Sequence, residues 1–173
     1  MVETKVLLSE QQVREKVAEL AAILREEYRD KYPLIIGILK GSFVFMADLI
    51  RMMDIPVEIE FVNLSSYGRG TTESTGKVKV VQGLKTPVKG RHVLVIEDIV
   101  DTGLTIRYLL DHLHKKKPAS LKLCALLDKP SRRKIDVPID YLGFSIPNIF
   151  VVGYGIDWDE RFRYLRDVRF VEM

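Results

Sequence analysis

The sequence of 173 residues is poor in cysteine, in long apolar runs and in net charge. Its single cysteine, Cys124, excludes an internal disulfide and favours a reducing compartment, so we expect a cytoplasmic protein. The apolar runs, such as 33–39, are too short to span a bilayer, and the first residues lack the apolar core of a secretory signal. The net charge of +3 indicates an ordinary solvated surface, and we expect no nucleic-acid partner and no membrane.

The chain has the composition of one globular domain, and we predict a single domain over 1–173. Ser9 to Gln12 reads as a capping box that opens a helix. Apolar residues at helical spacing predict further helices over 42–53 and 102–116. Short apolar or alternating runs predict strands at 34–39, 57–66, 77–81, 92–96, 121–127, 141–144 and 149–152. Strands that alternate with helices imply an α/β fold, in which a mostly parallel sheet is flanked by helices on both faces.

Polar clusters directly follow several of the predicted strands. Ligands of open α/β sheets bind beyond the carboxyl ends of the strands, so these clusters are candidate site residues. The clusters are Lys40-Gly41, 97–105, Asp128-Lys129 and 153–157.

The richest cluster is 97–105, where two adjacent carboxylates precede a turn into a helix. The free N–H groups of the helix start and the hydroxyls of Thr102 and Thr105 would form a cradle for a phosphate. Glu97 and Asp98 would repel phosphate, so they are expected to serve sugar hydroxyls or a divalent cation. Asp101 or Thr102 is also expected to cap the helix.

The stretch Val93 to Thr105 resembles the phosphoribosyl-pyrophosphate signature of type I phosphoribosyltransferases. The resemblance implies the fold of that family, with a small hood formed by the N-terminal segment and roughly 140–173, and a mobile lid loop at 67–76. It also implies a set of residues that bind the phosphate and ribose. They are Glu97, Asp98, Asp101, Thr102, Gly103, Leu104 and Thr105.

Segments outside this signature resemble the hypoxanthine-guanine phosphoribosyltransferases. Leu39 to Ser42 resembles their pyrophosphate loop, in which the peptide before the lysine is cis. Ser65 to Gly76 resembles their catalytic lid, with Ser66 and Tyr67 at its start. Gly153 to Arg163 resembles their C-terminal segment, and Leu104 is typical of bacterial members, since some other members carry lysine there.

The resemblance assigns further roles by position. Pyrophosphate would be bound by Lys40, Gly41 and Arg163, and the purine by Lys129, Phe150, Val151 and Asp157. Magnesium would be held by Glu97 and Asp98, and Asp157 would lie near the base and a second magnesium, whereas Asp159 and Glu160 are expected to be solvated.

The implied reaction is purine salvage. Hypoxanthine or guanine reacts with phosphoribosyl pyrophosphate to give IMP or GMP and pyrophosphate, with Asp101 as general base on purine N7 and Mg²⁺ assisting pyrophosphate departure. The family implies a homodimer or homotetramer.

Several alternatives stay open. A phosphoribosyltransferase for xanthine is opposed less firmly than one for adenine or a pyrimidine, because Lys129 would donate to a 6-oxo group. An RNA-binding regulator on the same fold, like the pyrimidine operon attenuators, is opposed by Asp101, since those proteins tend to lack that carboxylate. A nucleotide-binding protein without catalysis would leave Asp101 and the lid without a role.

Overall fold

A computed structural model describes residues 3–66 and 78–172, and the side chains among them other than those of 65, 66 and 78–82. The predicted lid at 67–76 lies outside the described residues. The strands are β1 (Thr4–Leu8), β2 (Leu34–Leu39), β3 (Glu58–Ser66), β4 (Val78–Gln82), β5 (His92–Val100), β6 (Ser120–Asp128), β7 (Tyr141–Ser145), β8 (Val151–Val152) and β9 (Val168–Val171). The helices are α1 (Glu10–Tyr28), α2 (Phe43–Met53) and α3 (Leu104–His114), with a 3₁₀ turn at Pro130–Arg132. None of the helices described is long and apolar enough to cross a membrane.

The larger sheet has the strand order β4-β3-β2-β5-β6-β7. All pairs in it are parallel except that of β3 with the edge strand β4. The predicted α/β class with a mostly parallel sheet is therefore confirmed. The carboxyl ends of five strands lie along one edge, and three of the four polar clusters found in the sequence lie at the ends of β2, β5 and β6. The fourth cluster, 153–157, follows β8 of the smaller sheet.

Helices cover both faces of this sheet. Successive side chains of each strand point to opposite faces and so pack against different helices. Ile35, Leu94 and Leu126 pack in one cluster with α1 and α2. Their neighbours Ile36, Val95 and Ala125 pack in the other cluster with α3. The apolar runs without alternation are thus the sequence pattern of strands that are buried on both sides.

A second, three-stranded sheet has the order β1-β9-β8 and is antiparallel throughout. Thr4 pairs with Val171, and Val151 pairs with Phe170. Strands β1 and β9 are not among the strands predicted from the sequence. They are short, and each forms its ladder with a segment at the opposite end of the chain. This sheet is built from the segments to which the resemblance assigned the hood.

Two local predictions at the start of α3 are wrong. Strand β5 continues to Val100 instead of ending at Ile96, because it stays paired with β6 as far as Val100 opposite Asp128. Helix α3 begins at Leu104, and its N-cap is Gly103 with φ +85° and no side-chain capping bond. Asp101 therefore does not cap the helix, whereas the Thr102 hydroxyl, the other predicted capping group, accepts from the Leu104 amide at 3.4 Å. In contrast, the predicted capping box of α1 is confirmed, since Ser9 and Gln12 exchange bonds.

Candidate active site

The first component of the site is the turn that leaves β2. The Leu39–Lys40 peptide is cis, as the resemblance implied. The buried Ser42 hydroxyl donates to the Ile38 carbonyl at 2.6 Å and so closes the turn. Gly41 lies directly against the Asp98 carboxylate, which a Cβ at this position would overlap. The sheet thus brings the Lys40-Gly41 turn and the acidic end of β5 into contact.

Glu97 and Asp98 lie within β5 and differ in environment. Glu97 is buried, with 7% of its surface exposed, whereas Asp98 is only partly buried. Burial, reinforced by the neighbouring Asp98 carboxylate, raises the pKa of Glu97 well above its usual value. The Asp98 amide donates to the Glu97 carboxylate at 3.1 Å. A cation bound beside this pair would offset the charge that the site concentrates here.

The turn from β5 into α3 lines a small cleft of about 190 Å³, together with the acidic pair. The amides of Lys134 and Ile135 donate to the Thr102 carbonyl at 2.9 and 3.2 Å, which fixes the turn. A Cβ at Gly103 would lie 2.6 Å from the Ile135 carbonyl oxygen, so the close approach and the positive φ both require glycine. Because α3 starts at Leu104, its first unpaired N–H groups belong to this cleft and can bind an anion.

Asp101 follows β5 and is held by two arginines of the segment after β6. Arg132 Nε donates to Asp101 Oδ1 at 3.0 Å, and Arg133 Nε donates to the Asp101 carbonyl at 3.2 Å. Arg133 also pairs with Asp128. Arg132 is not among the site residues predicted from the sequence, in which its one signal is its position just after Lys129-Pro130.

Lys129 lies next to Asp101 because β5 and β6 are paired up to their ends. Its amide donates to the Val100 carbonyl at 3.0 Å. The residue is buried, with 8% of its surface exposed, and burial lowers the pKa of its amine, partly offset by the charge of Asp101. A lysine with so little exposed surface, at the sheet edge where ligands bind, is uncommon in a purely structural role.

Phe150 and Val151 flank the start of β8. The Phe150 ring is 41% exposed and meets the Trp158 ring edge-on, with 5.8 Å between the ring centroids. Val151 is buried and paired with Phe170 in the smaller sheet. Phe150 therefore presents an aromatic surface, and Trp158, which the sequence analysis left without a role, supports it.

The segment Gly153 to Arg163 packs against the Lys40-Gly41 turn. A Cβ at Gly155, where φ is +95°, would lie 2.5 Å from the Gly41 carbonyl oxygen. Arg163 donates to the Gly155 carbonyl at 2.8 Å and pairs with Asp157 at 2.9 Å. The tertiary structure thus brings Lys40, Gly41 and Arg163 together, as the predicted pyrophosphate site requires.

Glu160 departs from the prediction that it is simply solvated. Although its side chain is 61% exposed, it accepts from Lys40 Nζ at 2.7 Å and pairs with Arg163 at 3.1 Å. These two cations lower the pKa of Glu160, with Lys40 contributing more. The neighbouring Asp159 is exposed, as predicted.

The predicted metal ligands do not converge on one point. Among residues 3–66 and 78–172, no group of three or more His, Cys, Asp or Glu side chains is placed to hold a metal ion. Of the predicted lid residues, Tyr67 and the side chain of Ser66 lie outside the described part of the chain.

A family model described as a phosphoribosyl transferase domain matches residues 3–159. The chain belongs to the phosphoribosyltransferase family. The predicted enzyme class, a glycosyltransferase that transfers a pentosyl group, is thereby confirmed.

Individual phosphoribosyltransferases are similar to the chain over nearly its whole length. The hypoxanthine-guanine phosphoribosyltransferase of Bacillus subtilis is 51% identical over 93% of this chain and 89% of the relative. The hypoxanthine-guanine phosphoribosyltransferase of Aquifex aeolicus is 45% identical over 97% of this chain and 94% of the relative. A crystal structure of a hypoxanthine-guanine phosphoribosyltransferase from Bacillus anthracis superimposes with a TM-score of 0.90 at 45% identity, covering 99% of this chain and 98% of that one. The recognised resemblance to this group of phosphoribosyltransferases is confirmed.

Proposed function

We propose that the protein is a purine salvage enzyme that converts hypoxanthine or guanine and phosphoribosyl pyrophosphate to IMP or GMP and pyrophosphate. The observation that carries the proposal is the placement of buried Lys129 beside Asp101, at the sheet edge that also holds the phosphate-binding turn. The same activity is named for relatives that share about half of their residues with this chain, which supports the proposal.

Asp101 is the proposed general base. When the ribose C1 loses pyrophosphate and bonds to N9 of the purine, the proton on N7 must leave. Arg132 occupies Oδ1 of Asp101, so Oδ2 is the oxygen that would accept this proton. Arg132 would thus orient the carboxylate toward the base.

Lys129 and Phe150 are the proposed purine contacts. The Lys129 amine would donate to the 6-oxo group, and the 6-amino group of adenine would place a second donor against it. The half-exposed Phe150 ring would stack on the purine, and the Val151 backbone would meet the base edge.

The phosphate and pyrophosphate groups have separate proposed sites. The 5′-phosphate would bind to Thr102, Thr105 and the amides at the start of α3. Pyrophosphate would bind to Gly41 and to the cations of Lys40 and Arg163, which stabilise the charge that develops as it leaves.

The donor chemistry of Glu97 and Asp98 fits magnesium. This ion usually takes only one or two protein carboxylates and completes its shell with water and substrate oxygens, so a cluster of three protein ligands is not required. Bound there, Mg²⁺ would neutralise charge on the departing pyrophosphate. Asp157, paired with Arg163, would serve a second ion near the base.

A base panel tests the proposal. Nucleotide formation would be followed with phosphoribosyl pyrophosphate, magnesium and each of hypoxanthine, guanine, xanthine, adenine and uracil. We expect product from hypoxanthine and guanine and essentially none from adenine or uracil. In Lys129→Met, we expect kcat/KM for hypoxanthine to fall by about tenfold to a thousandfold, as for loss of a buried donor. Equal use of adenine and hypoxanthine by the unaltered protein would contradict the proposal.

Xanthine use is the closest alternative, because xanthine also carries a 6-oxo group for Lys129. The same panel decides it. Binding of leader RNA in a filter assay, with its salt dependence, would instead support a regulator of the attenuator type. A cytoplasmic location and a homodimeric or homotetrameric state stay predictions.

A further inference from the structure

Glu160 carries an inference that rests on the proposed pyrophosphate site. It is the residue whose carboxylate bridges the two cations assigned to pyrophosphate. Oε1 accepts from Lys40 Nζ at 2.7 Å, and Oε2 accepts from Arg163 Nη2 at 3.1 Å. The same Arg163 nitrogen also pairs with Asp157 at 2.9 Å, so Arg163 is shared between two carboxylates.

The backbone fixes Glu160 in this position. The Glu160 amide donates to Asp157 Oδ2 at 2.8 Å, and Trp158 and Arg161 form a bridge that closes the turn. Asp159 and Glu160 both have positive φ, at 53° and 61°, which is uncommon for residues other than glycine. This conformation is unfavourable for two successive residues, so the surrounding contacts must stabilise the turn. Such strained turns are found preferentially at functional sites.

We propose that Glu160 is the internal counter-ion of the pyrophosphate site. It competes with pyrophosphate for Lys40 and Arg163, and thereby weakens pyrophosphate binding and speeds its release. Glu160 is a positioning residue in this scheme, because it acts through the two cations and not on the reacting atoms.

The competition follows from the donors available. Lys40 has one ammonium group, and it already donates to Glu160. The two terminal nitrogens of Arg163 already donate to Gly155, Asp157 and Glu160. A pyrophosphate that binds both cations must exchange with the Glu160 carboxylate, which is exposed enough to swing into solvent. A product that binds too tightly limits turnover, so a built-in competitor for its ligands favours release.

The test measures binding of pyrophosphate with magnesium to the full chain by isothermal titration calorimetry. In Glu160→Gln the side chain keeps its size but loses its charge. We expect the Kd for pyrophosphate to fall by roughly threefold to tenfold, as for release of two exposed ion pairs. In Lys40→Gln, adding Glu160→Gln should lower the Kd by a smaller factor than it does in the unaltered protein, because Arg163 is then the one cation of this pair for which Glu160 still competes.

Asp159→Asn is the matched control. It removes the same charge one residue away, asparagine tolerates the positive φ, and Asp159 has no ion pair within the part of the chain that is described. We expect its Kd to stay within about twofold of the unaltered protein.

Two results separate the inference from the function on which it rests. If the unaltered protein binds pyrophosphate but Glu160→Gln does not tighten binding, or Asp159→Asn tightens it equally, the counter-ion role is wrong while the site stands. If the unaltered protein does not bind magnesium pyrophosphate, the proposed pyrophosphate site and the inference both fail.

Discussion

At the scale of single residues, Glu97 is the side chain whose environment most clearly opposes its ionisation. Its carboxylate is buried beside Asp98, and both burial and the neighbouring charge oppose ionisation. Such an arrangement is retained where function needs it, and a cation or the ribose hydroxyls would provide the missing partner. Asp101 differs, because Arg132 balances its charge.

Glu97→Gln should stabilise the protein in a pH-dependent way. The pKa of Glu97 is higher in the folded than in the unfolded chain, so its contribution to stability is fully present below the unfolded pKa and is lost as pH rises through the folded pKa. Glutamine mimics the protonated form at every pH. We therefore expect the variant to gain about 1–3 kcal/mol at neutral pH and to match the unaltered protein at acidic pH.

Urea unfolding across the pH range, in buffer without divalent cations, measures this difference. A gain that did not change with pH would refute the assigned cause. The variant should also lose activity, since it removes a proposed ligand.

Asp101→Asn should slow the chemical step while leaving substrate binding largely intact. Asparagine preserves the size of the side chain but cannot accept the N7 proton, so we expect kcat to fall by about 10²–10⁴-fold. The Kd for phosphoribosyl pyrophosphate should stay within a few fold. Asp111→Asn, on the exposed face of α3, is the control and should retain full turnover. Near-normal turnover in Asp101→Asn would exclude the general-base role.

At the scale of elements, the site depends on a close contact between two segments. The turn after β2 and the segment after β8 meet where Gly155 lies against the Gly41 carbonyl, and this contact sets the distance between Lys40 and Arg163. Tyr154 strengthens it, because its hydroxyl donates to Asp48 of α2 at 2.6 Å. The proposed pyrophosphate site thus depends on how these elements pack against each other.

Gly155→Ala should damage both stability and pyrophosphate binding. The new Cβ would clash with backbone, and φ of +95° strains any side chain. We expect a loss of about 1–3 kcal/mol in the free energy of unfolding and at least tenfold weaker pyrophosphate binding. Gly83→Ala is the matched control, since a Cβ there meets no atom of the described residues within 4 Å, and it should change stability by less than about 1 kcal/mol. Equal effects of the two variants in urea unfolding and calorimetry would contradict the docking argument.

At the scale of the whole molecule, the larger sheet separates two apolar clusters that together form the core. Cys124 lies in β6, in the cluster beneath α1 and α2, and is fully buried. Burial raises the pKa of its thiol to about 12. The thiol can therefore report on opening of the core.

Cys124 should not react with a thiol reagent in the native protein. At about pH 8 the thiolate fraction is on the order of 10⁻⁴, and the reagent has no access, so labelling should be at least about a thousandfold slower than for a free thiol. Adding urea should raise the rate in step with unfolding. The absorbance of the chromophore that the reagent releases measures the labelling rate. Rapid labelling without urea would show that the core opens locally around β6.

The sequence by itself determined the features that depend on local interactions. The capping box at Ser9, the apolar runs of β2, β5 and β6, and the acidic-turn-helix motif at 97–105 were all recognisable, because their signals lie within a few residues. These signals, with the family resemblance, were enough for the fold class and for the sheet edge that carries the site.

The tertiary structure alone decided the contacts between segments far apart in the chain. Arg132 reaches Asp101 across 31 residues, Lys40 reaches Glu160 across 120, and β1 pairs with β9 at the opposite end. No local pattern announces such partners, since an exposed Glu160 and a paired one look the same in the sequence. The length of β5 and the start of α3 also depended on pairing with β6 and on the conformation of Gly103. The sequence predicted which residues carry the chemistry, and folding decided which of them contact one another.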